Sequence, residues 1–147
     1  MNNAMEFLLE QTKEREEQAV LALSKARVEL EDYYHQVEQI EKYRFDYCQQ
    51  LIERGQAGLT ASQYGHLNRF LTQLDETLSK QKQAESHFKE QVKNCQEYWL
   101  IVHKERKSYE WMIEKRKKEK QLSEVKREQK QMDEFSTLLH SHRIKPF

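Results

Sequence analysis

Six histidines, two cysteines and one dense basic run are the side chains of this 147-residue chain with chemistry to offer. A metal centre needs three or four ligands converging on one point. His35, His66, His87 and His103 are scattered, and His140 and His142 stand close together without a third ligand nearby. Cys48 and Cys95 are too few for a disulfide framework. The sequence contains no Gly-rich phosphate loop and no His-Glu-x-x-His motif. These residues therefore point to no catalytic site, no cofactor and no metal. The basic run Lys115-Arg116-Lys117-Lys118-Glu119-Lys120 is a contact of another kind, electrostatic, for phosphates or an acidic protein. Interspersed glutamates and the lack of interleaved aromatics argue for a solvated helix face over nucleic-acid binding.

The elements that carry these residues follow from composition and period. The chain has 25 basic and 25 acidic residues, is 34% charged and only 37% hydrophobic, and holds three Gly and one Pro. Sheets with many turns consume both breakers, so an all-α chain is expected. No apolar run is long enough to span a bilayer, and the N-terminus, Met-Asn-Asn-Ala-Met-Glu, lacks the pattern of a secretory signal. Gly55, Gly58 and Gly65 fall within eleven residues, which places one break in the chain. The expectation is a single coiled-coil domain over 1–147, with helix 1 about 5–53, a turn at 54–60 and helix 2 about 61–140. Thr60 and Gln63 form a capping-box pattern at the start of the second helix. Pro146 lies beyond the last helical signal.

A 3-4 spacing runs through Met5, Leu9, Thr12, Glu16, Ala19, Leu23, Ala26, Leu30, Tyr33, Val37, Ile40, Arg44, Tyr47 and Leu51, eleven of the fourteen being apolar. The second segment gives Tyr64, Leu67, Leu71, Leu74, Leu78, Gln81, Glu85, Phe88, Val92, Cys95, Trp99, Val102, Arg106, Tyr109 and Ile113, with twelve of fifteen apolar. Heptads of this length mark a coiled-coil seam. Folding at the turn pairs residue n with about 114 or 115 minus n, setting Ala26 against Phe88, Ile40 against Leu74 and Met5 against Tyr109. Beyond residue 113 the apolar positions change phase to Trp111, Leu122, Val125, Met132 and Leu139. The second helix thus overhangs, unpaired from about 114, with a face of its own. Residues 1–53 carry six basic and twelve acidic side chains, and residues 103–130 eleven and six, so antiparallel pairing brings opposite charges together. Arms of about 70 Å and 120 Å follow at 1.5 Å per residue, a rod with no enclosing pocket.

The flanks of the seam differ. One flank holds Gln36, Tyr43, Gln50, Gln63, Phe70, Thr77 and Ala84, none charged, with Tyr43 opposite Phe70. The other is mostly polar and charged: Tyr34, Glu41, Cys48, Asn68, Asp75, Lys82 and Lys89. With the rims of Ile40, Tyr47 and Leu74, the first flank forms an apolar, aromatic strip beside the turn. Such a strip either widens the seam or serves as a docking surface.

Tyr43-Arg44-Phe45-Asp46-Tyr47 before the turn, Phe70 after it and Lys130-Gln131-Met132-Asp133-Glu134-Phe135 near the end together resemble the FliJ family of flagellar type III export proteins. The likeness covers essentially the whole chain, and Gln-Met-Asp-Glu-Phe is its strongest local motif. It implies a two-stranded coiled coil similar to the γ-subunit stalk of rotary ATPases. It further implies a protein of the cytoplasm, peripheral to the inner-membrane export apparatus and serving motility, with the hexameric export ATPase, the cytoplasmic domain of the export gate and export chaperones as partners. Carried over by position, the gate-facing surface comprises Gln36, Ile40, Tyr43, Tyr47, Phe70 and Leu74, with Thr77 and Gln81 continuing that face. The ATPase contact falls on Lys115, Arg116, Lys117, Lys118, Met132 and Phe135 of the overhang. Neither nucleic acid nor direct membrane insertion is expected, and the free chain is expected to be a monomer. The alternatives are the equivalent stalk of a virulence secretion system, a nucleic-acid-binding helical arm and a homodimeric structural coiled coil.

Overall fold

The structure is a computed structural model and describes residues 2–144; Pro146 lies outside them. Two helices account for nearly all of the described chain, α1 (Asn2–Ala57) and α2 (Ala61–Ile144), and no described residue is in a strand. The two helices pack against each other antiparallel, as the long heptads require.

The seam is where the heptads place it. Of the fourteen positions expected on α1 only Arg44 is exposed, and of the fifteen on α2 only Tyr64. The deepest side chains are Ala19, Leu23, Ala26, Tyr33, Val102 and Thr12. Two of these, Ala19 and Ala26, are alanines. Thr12, a polar residue in the seam, donates its Oγ1 hydroxyl to the carbonyl of Leu8 at 2.7 Å, which satisfies it within its own helix.

The helix boundaries differ from the expectation, and the difference resets the pairing. Helix α1 continues through Gly55 to Ala57, past the expected end near 53. A glycine inside a helix costs about 1 kcal/mol relative to alanine, too little to end a long one. What ends it is Gly58, at φ 95°, in the left-handed region that favours glycine. The chain then restarts at a capping box. The Gln63 amide donates to Thr60 Oγ1 and the Thr60 amide to Gln63 Oε1, both at 3.2 Å. Gly55 and Gly58 should therefore respond in opposite directions. Gly58→Ala is expected to destabilise by about 1 kcal/mol, and Gly55→Ala, with no atom within 4 Å of an added Cβ, to stabilise by about 0.5 kcal/mol. Thermal unfolding of the two variants checks this, and equal signs would refute the assignment of the turn.

Because the turn is centred later, the expected pairing rule of 114 or 115 minus n is corrected. Tyr47 rests on Phe70, Arg44 on Asp75 and Tyr34 on Glu85, pairs whose numbers add to 117, 119 and 119. Tyr33, and not Ala26, stacks on Phe88, with ring centroids 5.3 Å apart.

Packing divides the chain into two compact units, Glu16–Ile101 and the pair Met1–Arg15 with Val102–Phe147. The first contains the turn, four of the deeply buried side chains and both cysteines, which are free and half-buried. In the second, the start of α1 lies against α2. Arg15 Nη2 meets Glu105 Oε1 at 2.8 Å, and Met5 and Glu6 line a small recess with Ile113, Arg116 and Lys117. Beyond Ile113, every described side chain of α2 through Arg143 is exposed.

Candidate interaction surfaces

The strip beside the turn is built by the 3-4 spacing of both helices. Gln36, Ile40, Tyr43 and Tyr47 follow one another at helical spacing on α1, and Phe70 and Leu74 lie one turn apart on α2. Tyr47 and Phe70 make the direct link between the helices, with ring centroids 4.3 Å apart and planes tilted by 46°. The expected pairing of Tyr43 with Phe70 is therefore corrected. The later turn brings Tyr47 onto Phe70 and leaves Tyr43 56% exposed. Phe70 keeps 38% of its surface exposed, Gln36 is exposed, and Ile40, Tyr47 and Leu74 are half-buried.

The opposite flank takes the charges. Arg44 Nε donates to Asp75 Oδ1, and Lys82 reaches Glu41 at 3.8 Å. The Tyr34 hydroxyl donates to Glu85 Oε1 at 3.1 Å, while Lys89 Nζ lies 2.9 Å from the same oxygen. Arg44 occupies a seam position but swings out to Asp75, which holds its guanidinium protonated above the usual range. These exposed pairs fix register more than they add stability. On this flank sits an exposed aromatic that the strip did not include, Phe45, 61% exposed beside a groove lined by Arg44, Cys48, Asp75 and Leu78. Its place inside the Tyr-Arg-Phe-Asp-Tyr segment was the available signal.

Glu85 supplies a pH-dependent contact. The hydrogen bond from Lys89, then that from Tyr34, holds its carboxyl below the ordinary glutamate range. A group whose folded pKa is depressed contributes stability above its unfolded pKa and loses it as pH falls through the folded value. Glu85→Gln is thus expected to lower the melting temperature at neutral pH, with the gap to wild type closing in acid. A gap unchanged below the carboxylate range would exclude this contribution.

The second surface is the overhang. Trp111, Leu122, Val125, Met132, Phe135 and Leu139 are all exposed, and Lys115 Nζ sits 5.1 Å from the centroid of the Trp111 ring. Lys115, Arg116, Lys117 and Lys118 are exposed as well. On the partly covered stretch before it, Arg106 donates to Glu110 Oε1 at 2.8 Å and lies 3.3 Å from His103 Nδ1. Among the described residues no group of three His, Cys, Asp or Glu side chains is placed to hold a metal ion, and no helix is long and apolar enough to cross a membrane.

An antiparallel helical pair with an uncharged aromatic strip beside its turn and an exposed continuation of α2 defines a coiled-coil hairpin. The sequence model described as "Flagellar FliJ protein" matches residues 1–145, and the chain belongs to the FliJ family. That family is a non-enzymatic component of flagellar, type III-like protein export. Among solved structures, that of a putative YscO homolog, CT670, from Chlamydia trachomatis is similar at 16% identity, with a TM-score of 0.48 over 99% of this chain and 94% of that one. A search among curated proteins gives no match.

Proposed function

We propose that this chain is a non-enzymatic coupling component of the flagellar export apparatus that joins the hexameric export ATPase to the membrane export gate and escorts export chaperones. The strip of Gln36, Ile40, Tyr43, Tyr47, Phe70 and Leu74 docks on the cytoplasmic domain of the gate. The overhang, through Lys115, Arg116, Lys117, Lys118, Met132 and Phe135, engages the ATPase, and the protein works in the cytoplasm at the periphery of the inner membrane. The observation that carries the reading is Tyr43, more than half exposed on an uncharged flank, next to the Tyr47–Phe70 contact. Large, half-exposed aromatics framed by neutral side chains are the usual anchors of a protein interface. The same continuous helix α2 carries Phe70 and the overhang, so contacts that favour one ATPase state over another can bias what the gate surface meets.

Pull-down of the gate domain and of the ATPase with wild-type chain, Tyr43→Ala and Phe70→Ala tests the reading. Tyr43→Ala is expected to weaken gate binding about thirty-fold, the effect of one anchor, with ATPase binding retained. Retained gate binding in both variants would remove the strip from the proposal.

A further inference from the structure

We propose that residues 122–139 of α2 pair antiparallel with the same segment of a second copy of this chain, forming a two-fold symmetric coiled coil. Leu122, Val125, Gln129, Met132, Ser136 and Leu139 follow a strict 3-4 spacing with no charge among them, the pattern of a second coiled-coil seam. The helix runs unbroken through all six, and all six are exposed. Ile113 is the last half-buried side chain of α2 among the described residues, so α1 does not cover this seam.

Charge identifies the occupant and its register. One antiparallel alignment sets Leu122 against Leu139 of the second copy, Val125 against Ser136 and Gln129 against Met132. Each polar seam residue then meets an apolar one, and the two-fold axis repeats all three pairs. On one flank Lys126 meets Asp133 of the second copy, and Asp133 meets its Lys126. On the other flank Glu128 stands beside Phe135, without a like-charge contact. Sliding the alignment by one heptad brings Asp133 onto Asp133 in one direction and Lys126 onto Lys126 in the other. A parallel pair in register sets Glu128 against Asp133 twice. Like charges so opposed are destabilising, and flanking charges fix the orientation of a coiled coil. Only the first alignment avoids them. A surface that complements itself about a two-fold axis is that of an isologous dimer.

The seam is about 25 Å long, which puts the contact at the small end of specific interfaces, so the pair forms and separates with concentration. Met132 and Phe135 also belong to the ATPase surface proposed above. The two occupants therefore exclude each other, and the pair is a state of the free chain, in place of the expected monomer. The pairing stands on the seam and its flanks and does not rest on the ATPase reading.

Sedimentation equilibrium of the full chain alone, from about 5 to 500 μM, covers weak association of this kind. The expected result is a monomer–dimer equilibrium. Asp133→Lys places a lysine against Lys126 twice and should weaken the dimer about tenfold. Adding Lys126→Asp to that variant should restore it, and Val125→Glu should abolish it. These positions are exposed, so the helical circular dichroism of the dilute variants should match that of wild type. A monomer at every concentration would overturn the proposal. Tighter association of Asp133→Lys would make the pair parallel, and a dimer indifferent to Val125→Glu would lie elsewhere on the chain; either result refutes it. No ATPase is present in the measurement, so its failure leaves the ATPase reading standing.

Discussion

Tyr33→Ala is expected to lower the unfolding free energy by about 3 kcal/mol, the usual cost of deleting a buried aromatic ring. Tyr33 is 3% exposed and sits between Tyr34, at 5.4 Å, and Phe88, stacked at 5.3 Å. The nearest well-buried positions before it on α1 are Ala26, Leu23 and Ala19, so an aromatic ring is a large share of this unit's apolar contact. Two helices alone have little capacity to collapse around the cavity that alanine would leave. Burial, and then the charge of Glu85, pushes the Tyr33 phenol above its ordinary range. Its share of stability is therefore full below that range and is lost as pH rises through it. Chemical denaturation of the variant measures the loss, and a change below 1 kcal/mol would show that the Tyr33–Phe88 stack is not part of the core.

Val102→Asp is expected to cost about 4 kcal/mol, because it takes a carboxylate out of water into one of the two least accessible positions among the described residues. Val102 is 1% exposed, and Thr12, the other side chain of this depth, spends its single hydroxyl proton on the Leu8 carbonyl. Val102→Ala, which only deletes methyl groups, should cost about 2 kcal/mol. The difference between the two variants isolates the charge. Midpoints of thermal unfolding for the pair, read at neutral pH and again in acid, are the check. The aspartate variant should recover part of its loss once the carboxyl is protonated. Equal loss for both substitutions would mean that water reaches the site.

The uncharged strip and the exposed end of α2 were legible in the sequence because they are defined by absence of charge and by period. Gln36, Tyr43 and Phe70 stand out in a chain that is one-third charged, and the phase change at Trp111 separates the overhang from the seam. Phe45 was less legible, since a single aromatic on a charged flank breaks no pattern. The partner of each aromatic was not legible either. Regular heptads score equally well in registers one turn or one heptad apart, so Ala26 and Tyr33 were equivalent candidates to meet Phe88.

What the amino-acid order determined by itself is the local part: long amphipathic helices, a reciprocal Thr60–Gln63 cap, and the residues that line the seam. These depend on interactions within a few residues, where spacing carries the information. Tertiary structure alone decided the register, because it depends on which of Gly55 and Gly58 takes a positive φ. A helix tolerates glycine at about 1 kcal/mol, while packing Tyr33 on Phe88 and Tyr47 on Phe70 involves larger energies. The side chains at long range therefore chose where the chain turns.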